Sequence, residues 1–218
     1  GTKPNENCRR CCTLFKPKFY MIQSAKRNVR ALVFLAKAKG ITHVVFSPGS
    51  RNAPLIIGFT NDPHFTCLTV HDERSAAFVA LGIAQATAKP VLMCCTSGSA
   101  AVNYYPGIVE AFYQQIPIIA VTADRPSEWI DQGDGQTIRQ NNLFANHINY
   151  SCTLYKDVDD RELEINNERI LNEALNTAFL SSGPVHINMP FEEPLYNHVE
   201  NATDSFKLIE QIHIKPAV

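Results

Sequence analysis

The chain has 218 residues, 45% of them hydrophobic, with a formal net charge of -1 and a pI near 6.7. That is apolar matter enough for one sizeable core, and one domain is expected. A near-neutral chain exerts no long-range pull on nucleic acid or an anionic membrane, and no apolar run reaches the length of a bilayer span, so any anion must be recognised locally.

Residues 1–20 are basic without a long apolar core and read as a leader, an expression remnant or an upstream misreading, not as a secretory signal. Within them Cys8, Cys11 and Cys12 have half of a zinc site's spacing, but no second pair or histidine stands at a matching distance, so no metal site is expected. Seven irregularly placed cysteines, with Cys67, Cys94 and Cys95 on expected buried strands, point to reduced thiols and a cytoplasmic location. Met21 opens the first good helical pattern, and Val29, Leu32, Val33, Leu35 and Ala36 recur at helical spacing between Ser24 and Lys39, with Gly40 as the left-handed stop. Short apolar runs then alternate with helical patterns: strand 42–46, helix 52–60, strand 67–70, helix 73–87, strand 90–95, helix 99–113, strand 117–122. The order implies an α/β fold, a mostly parallel sheet with helices on both faces. From Arg125 to Asn149 no period holds, and a long functional loop with short helical turns is expected over the sheet edge. A strand at Tyr150–Tyr155, a helix at Asn167–Leu180 and a strand at Val185–Asn188 follow; beyond Pro190 the sequence reads as a tail or linker.

Candidate chemistry gathers at strand ends. Arg51, in Ser47-Pro48-Gly49-Ser50-Arg51-Asn52, follows an apolar strand, and open α/β sheets bind ligands at that carboxyl edge. Glu73 opens the next helix, where a carboxylate is favoured by the helix dipole whether or not it has a function. Thr96-Ser97-Gly98-Ser99 is a small-residue turn that either caps a helix or lets a ligand approach the backbone. Arg125 could be a surface ion-pair partner, but two arginines on strand ends match carboxylate or phosphate geometry. Gly133-Asp134-Gly135 stands too close to Asn141-Asn142 for a thiamin diphosphate metal motif and is read as a turn presenting Gln136. No spaced-glycine dinucleotide fingerprint is present, which disfavours a nucleotide-binding domain. His43, His64, His147, His186 and His198 lack ligand spacing and are read as structural or surface residues.

Six motifs fall in one order: Ser-Pro-Gly-Ser-Arg-Asn-Ala-Pro (47–54), His-Asp-Glu-Arg-Ser-Ala-Ala-Phe (71–78), Thr-Ser-Gly-Ser-Ala (96–100), Asn-Tyr-Tyr-Pro (103–106), Thr-Ala-Asp-Arg-Pro (122–126) and Gln-Thr-Ile-Arg-Gln (136–140). Over residues 21–196 the chain resembles the N-terminal pyrimidine-binding domain of the 2-succinyl-5-enolpyruvyl-6-hydroxy-3-cyclohexene-1-carboxylate synthases, thiamin diphosphate enzymes of menaquinone biosynthesis. The resemblance implies a carboligase that decarboxylates 2-oxoglutarate and adds the succinyl semialdehyde unit to isochorismate. It makes Glu73 the residue that holds a proton at N1′ of the aminopyrimidine, so that the imino tautomer takes the proton from thiazolium C2. Glu73, Thr96, Ser97 and Gly98 then bind cofactor, and Ser50, Arg51, Arg125 and Gln136 bind substrate carboxylates and hydroxyls. Gly135 departs from the family pattern, which puts in doubt a substrate contact at that position.

The family's central and diphosphate-binding domains, the latter holding magnesium, have no counterpart in this sequence. Residues 197–218 are accordingly expected to start a linker to a central domain. The chain alone is expected to lack synthase activity and to bind cofactor weakly. Because the helix from Ser75 to Ala86 is apolar nearly all round, a homo-oligomer, dimer or tetramer, is expected. The rival reading is a stand-alone, non-catalytic module whose arginine rim holds a dicarboxylate or an aromatic acid.

Overall fold

A computed structural model describes residues 21–210. The leader assigned to residues 1–20, with its cysteine cluster, lies outside the described residues, as does the end of the 197–218 segment. In chain order the elements are β1 (Ile22–Ser24), α1 (Arg27–Ala38), β2 (His43–Phe46), α2 (Ala53–Thr60), β3 (Thr66–Thr69), α3 (Glu73–Thr87) and β4 (Val91–Cys95). They continue with α4 (Ser99–Asn103), α5 (Tyr105–Gln114), β5 (Ile118–Asp124), β6 (Tyr150–Thr153), α6 (Arg161–Ser181), β7 (Val185–Pro190) and β8 (His198–Glu200).

Six strands form one parallel sheet in the order β3-β2-β4-β5-β7-β6. Its strands read as continuous apolar runs because both faces are covered. Val44, Phe46, Leu92, Cys94, Ile119 and Val121 pack with α1, α2 and α6. The alternate residues Val45, Val91, Met93, Cys95, Ile118 and Ala120 pack with α3, α4 and α5. Each fully buried branched or aromatic side chain contributes about 1.5–3 kcal/mol, so the two cores, not helix propensity, carry the fold. After β2 the chain turns to β3 on one side, and after β4 it turns to β5 on the other. That reversal opens a crevice between the carboxyl ends of β2 and β4, where ligands of open α/β sheets bind.

Several boundaries differ from those the sequence predicts, each for a local reason. The first helix begins at Arg27, not Ser24, because residues 22–24 pair antiparallel with β8, Ile22 opposite Glu200. Gly40 does take the left-handed conformation, at φ 75°. The expected helix 99–113 is two helices that meet at Tyr104, with Pro106 in the first turn of α5. Proline has no N–H to give to a preceding turn and its ring crowds the carbonyl there, so a helix restarts at it more readily than it runs through. Helix α6 starts at Arg161, not Asn167, because Asp160 caps it, accepting from the Glu162 and Leu163 amides at 2.9 and 3.3 Å. Cys67 is only half-buried because β3 is an edge strand.

As far as residue 210, the aperiodic stretch beyond Pro190 packs on the domain. Phe191 and Leu195 are buried, Arg30 pairs with Asp204, and Asn172 Oδ1 accepts from the Ile209 amide at 2.9 Å. Among the described residues no helix is long and apolar enough to cross a membrane.

Candidate active site

Three segments converge at the switch point. In the first, buried Asn52 locks the turn after β2, its Oδ1 accepting from the Gly49 amide and its Nδ2 donating to the Ser47 carbonyl, both at 2.9 Å. Gly49 lies so close to the second segment that a Cβ there would sit 2.5 Å from Cβ of Thr96. In that second segment Gly98 has φ 86° and ψ -144°, and a Cβ on it would lie 2.8 Å from the Gln136 carbonyl oxygen of the third. Buried Gln140 fastens the third segment down: its Oε1 accepts from the Gly98 amide at 2.7 Å while its Nε2 donates to the Ala123 carbonyl and Asn188 Oδ1. Asn52 and Gln140 hold the site's backbone, a role the sequence did not reveal, since a buried amide differs in no local pattern from an exposed one.

The two arginines meet in one cavity. Arg51, Arg125, Pro126, Trp129, Asp134, Glu192 and Glu193 line a space of about 390 Å³ at the rim. Arg51 donates through Nη1 to the Phe191 carbonyl at 2.9 Å and lies 3.4 Å from Glu193, while its buried Nε has no partner among the described residues. Burial first, and the Arg125 charge second, lower its pKa from the ordinary value. Arg125 spends Nη1 on Ser97 Oγ, Nη2 on the Gly135 carbonyl and Nε on Asp134, at 2.9, 2.9 and 2.7 Å. The fork-shaped guanidinium thereby ties the β4 turn to the 131–137 loop. Ser50 and Gln136 are exposed beside these segments but do not line the cavity. Gln136 is itself in the left-handed region, at φ 56°.

Glu73 also stands apart from the cavity, half-exposed in the first turn of α3. Asp72 starts that turn by accepting from the Ser75 amide at 2.7 Å, which frees Glu73 from capping. Its charge acts on two fully buried groups, Cys95 and Tyr104. Burial pushes the Tyr104 phenol well above its ordinary pKa, with further repulsion from Cys95 and Glu73 against an opposing contribution from Ser47. The Tyr104 hydroxyl and Ser47 Oγ are both buried without a well-aligned hydrogen-bond partner among the described residues. The candidate residues therefore form two groups, a carboxylate edge around Glu73 and an arginine cavity, the latter tied to the Thr96–Gly98 turn through Ser97.

Beneath the rim runs a buried polar chain. Asn188 donates from Nδ2 to Asp124 Oδ2 at 2.7 Å and accepts at Oδ1 from Thr122 at 2.7 Å. The Thr122 hydroxyl has one proton, given to Asn188, so the His186 Nε2 that meets it at 2.8 Å must be the protonated nitrogen, leaving Nδ1 for Ser151 at 3.2 Å. Burial holds this neutral imidazole down at a pKa of about 3. Burial pushes the Asp124 carboxyl up, opposed by its bonds from Asn188 and the Arg125 amide. Asp124 thus anchors the strand end from which Arg125 projects. Among the described residues no cluster of three or more His, Cys, Asp or Glu could hold a metal ion.

Comparison with known proteins bears on this geometry directly. Residues 27–143 match the family described as thiamine pyrophosphate enzyme, N-terminal TPP binding domain. A 2-succinyl-5-enolpyruvyl-6-hydroxy-3-cyclohexene-1-carboxylate synthase of Flavobacterium psychrophilum is 53% identical over 181 residues, covering 83% of this chain and 32% of that protein. The synthase of the same name from Christiangramia forsetii is 55% identical over 185 residues, covering 79% of this chain and 32% of its own. The chain therefore spans about a third of the length of these curated relatives. In fold it is similar to a thiamine diphosphate-dependent 4-hydroxybenzoylformate decarboxylase of Rhodococcus jostii RHA1, with a TM-score of 0.63 at 20% identity over 75% of this chain and 30% of that one. With the family match extending over more than half of its residues, from α1 into the long loop, the chain belongs to the thiamine pyrophosphate enzymes, as their N-terminal TPP-binding domain.

Proposed function

We propose that this chain is the pyrimidine-side half of a 2-succinyl-5-enolpyruvyl-6-hydroxy-3-cyclohexene-1-carboxylate synthase, joining 2-oxoglutarate to isochorismate in the cytoplasm. The observation that carries the reading is the presence, at the carboxyl edge of one sheet, of a half-exposed Glu73 at a helix start and two guanidinium groups sharing a cavity. Carboxylates on both substrates suit such a rim, because each arginine offers a planar pair of donors.

The residues fit thiamin diphosphate on its pyrimidine side. A carboxylate unengaged in capping, a glycine turn that a side chain would close, and two buried hydroxyls without a well-aligned partner, Ser47 and Tyr104, come from the elements around the β2–β4 crevice. When bound, the cofactor supplies the electron sink for decarboxylation and carbon–carbon bond formation. Glu73 holds the proton at the pyrimidine N1′. Thr96, Ser97 and Gly98 admit the ring to the backbone. Arg51 and Arg125 orient the substrate carboxylate, and Ser50 and Gln136 take its hydroxyl groups. Magnesium and the diphosphate are assigned to the portion of the relatives beyond this chain's span. A homodimer is the natural way to cover α3, whose outer face exposes Phe78 and Val79 beside Val102 of α4.

The test is Glu73→Gln, in one frame with the central and diphosphate-binding portions. Proton exchange at thiazolium C2, followed by NMR, is expected to slow by orders of magnitude while circular dichroism stays unchanged. Exchange at the wild-type rate would remove Glu73 from this role.

A further inference from the structure

The arginine cavity is lined by two guanidinium groups and three carboxylates, Asp134, Glu192 and Glu193. An incoming carboxylate therefore has to compete with carboxylates already seated beside the guanidinium groups. The three are held very differently. Glu192 is committed to Lys156 at 3.0 Å, and Glu193 is two-thirds exposed at 3.4 Å from Arg51. Asp134 makes the short contact, 2.7 Å from Arg125 Nε, and its Oδ2 also accepts from Thr137 Oγ1 at 3.1 Å. Nη1 and Nη2 of Arg125 serve Ser97 and the Gly135 carbonyl, so a carboxylate that takes the place of Asp134 at Nε leaves the tie to the β4 turn intact.

We propose that Asp134 is a built-in competitor for the substrate carboxylate, seated on Arg125 as a substrate oxygen would be and displaced when a dicarboxylate binds. The inference rests on reading Arg51 and Arg125 as carboxylate binders, and it makes Asp134 the residue that sets how tightly the rim holds an anion. The loop is built to let it go. Asp134 is 39% exposed and stands between Gly133, at φ 77°, and Gly135, two residues without side chains to restrict the backbone on either side of it. The Arg125 hydrogen bond, first among its causes, holds the Asp134 carboxyl below its usual pKa, so the competitor stays charged wherever the substrate does.

The experiment titrates succinate, a plain dicarboxylate, into the folded chain at low ionic strength, following amide shifts by NMR. Asp134→Asn and Asp134→Ala are expected to bind about three- to fivefold more tightly than wild type, the range that releasing one exposed ion pair can supply. Arg125→Ala is expected to lose most of the binding. In wild type, hydrogen exchange of amides 133–137 is expected to rise as succinate binds. Equal or weaker binding by both Asp134 variants, with Arg125→Ala still defective, overturns the competitor and leaves the rim reading standing. Binding unchanged by Arg125→Ala and by Arg51→Ala, or absent from every variant, overturns both.

Discussion

Gly98 is the position at which one methyl group should do the most damage. Its φ of 86° and ψ of -144° lie in a region that side-chain-bearing residues essentially never enter, at a cost of about 1–3 kcal/mol. A Cβ would also stand 2.8 Å from the Gln136 carbonyl oxygen, which belongs to a backbone held in place by Gln140 and cannot retreat freely. Relieving that contact by opening bond angles adds about 1 kcal/mol, so Gly98→Ala is expected to cost about 2–4 kcal/mol in all. Gly82 is the control. It lies inside α3 with no atom within 4 Å of its Cβ position, so Gly82→Ala is expected to stabilise by about 0.5–1 kcal/mol. Urea unfolding monitored by circular dichroism, with an unchanged slope, reads both. At about 2–4 °C per kcal/mol for a domain of this size, the two melting temperatures move in opposite directions. A Gly98→Ala protein within about 0.5 kcal/mol of wild type would refute the reasoning, since ordinary surface substitutions fall within that margin.

Three further outcomes follow from the same geometry. If the chain works within a synthase as proposed, Arg51→Ala or Arg125→Ala in that longer protein is expected to raise the apparent KM for a carboxylate substrate about ten- to hundredfold, the equivalent of one charge-assisted bond; unchanged kinetics in both variants would make the rim arginines structural. His186 is neutral in the fold down to about pH 3 but charges near 6.5 when unfolded, so its contribution is present above pH 6.5 and is lost as pH falls through that window. Between pH 7.5 and 5 this amounts to about 2 kcal/mol, and His186→Gln should flatten that part of the urea midpoint profile. Sedimentation at micromolar concentration should show a dimer that Phe78→Glu combined with Val79→Glu converts to monomer, while a monomeric wild type would count against the α3 face as an interface.

Much of the fold was legible because alternating apolar runs and helical stripes report a doubly covered parallel sheet residue by residue. The 73–87 helix emerges with the same ends the sequence predicts, because Asp72 caps it and a small apolar face keeps it against α5. What could not be read is pairing that depends on residues far apart. Ile22–Ser24 has no strand signal of its own and becomes one only when His198–Glu200 arrives beside it. Gln140 is likewise a polar residue in a polar loop until Gly98, Ala123 and Asn188 surround it. The strand-end motifs located the rim. They did not reveal that Glu73 and the arginine cavity are separate, or that Asp134 already occupies the arginine.

That separation bears on how such a site is assembled. Glu73 opens the helix whose outer face exposes Phe78 and Val79, whereas Arg51 and Arg125 line a cavity of their own chain and are fastened by it, Arg51 through the Phe191 carbonyl. One half of the candidate chemistry is therefore preorganised within the domain, held by Asn52, Gln140 and the Asn188–Asp124 pair beneath it. The carboxylate edge has support only from below, where Cys95 and Tyr104 are buried, and its other side lies open beside an apolar surface. Water on that open side weakens every charge interaction Glu73 makes. Covering α3 with a second apolar surface strengthens them without altering a single residue of this chain, so the proposed anion binding at the arginine cavity needs less of a partner than the proposed proton transfer at Glu73 does.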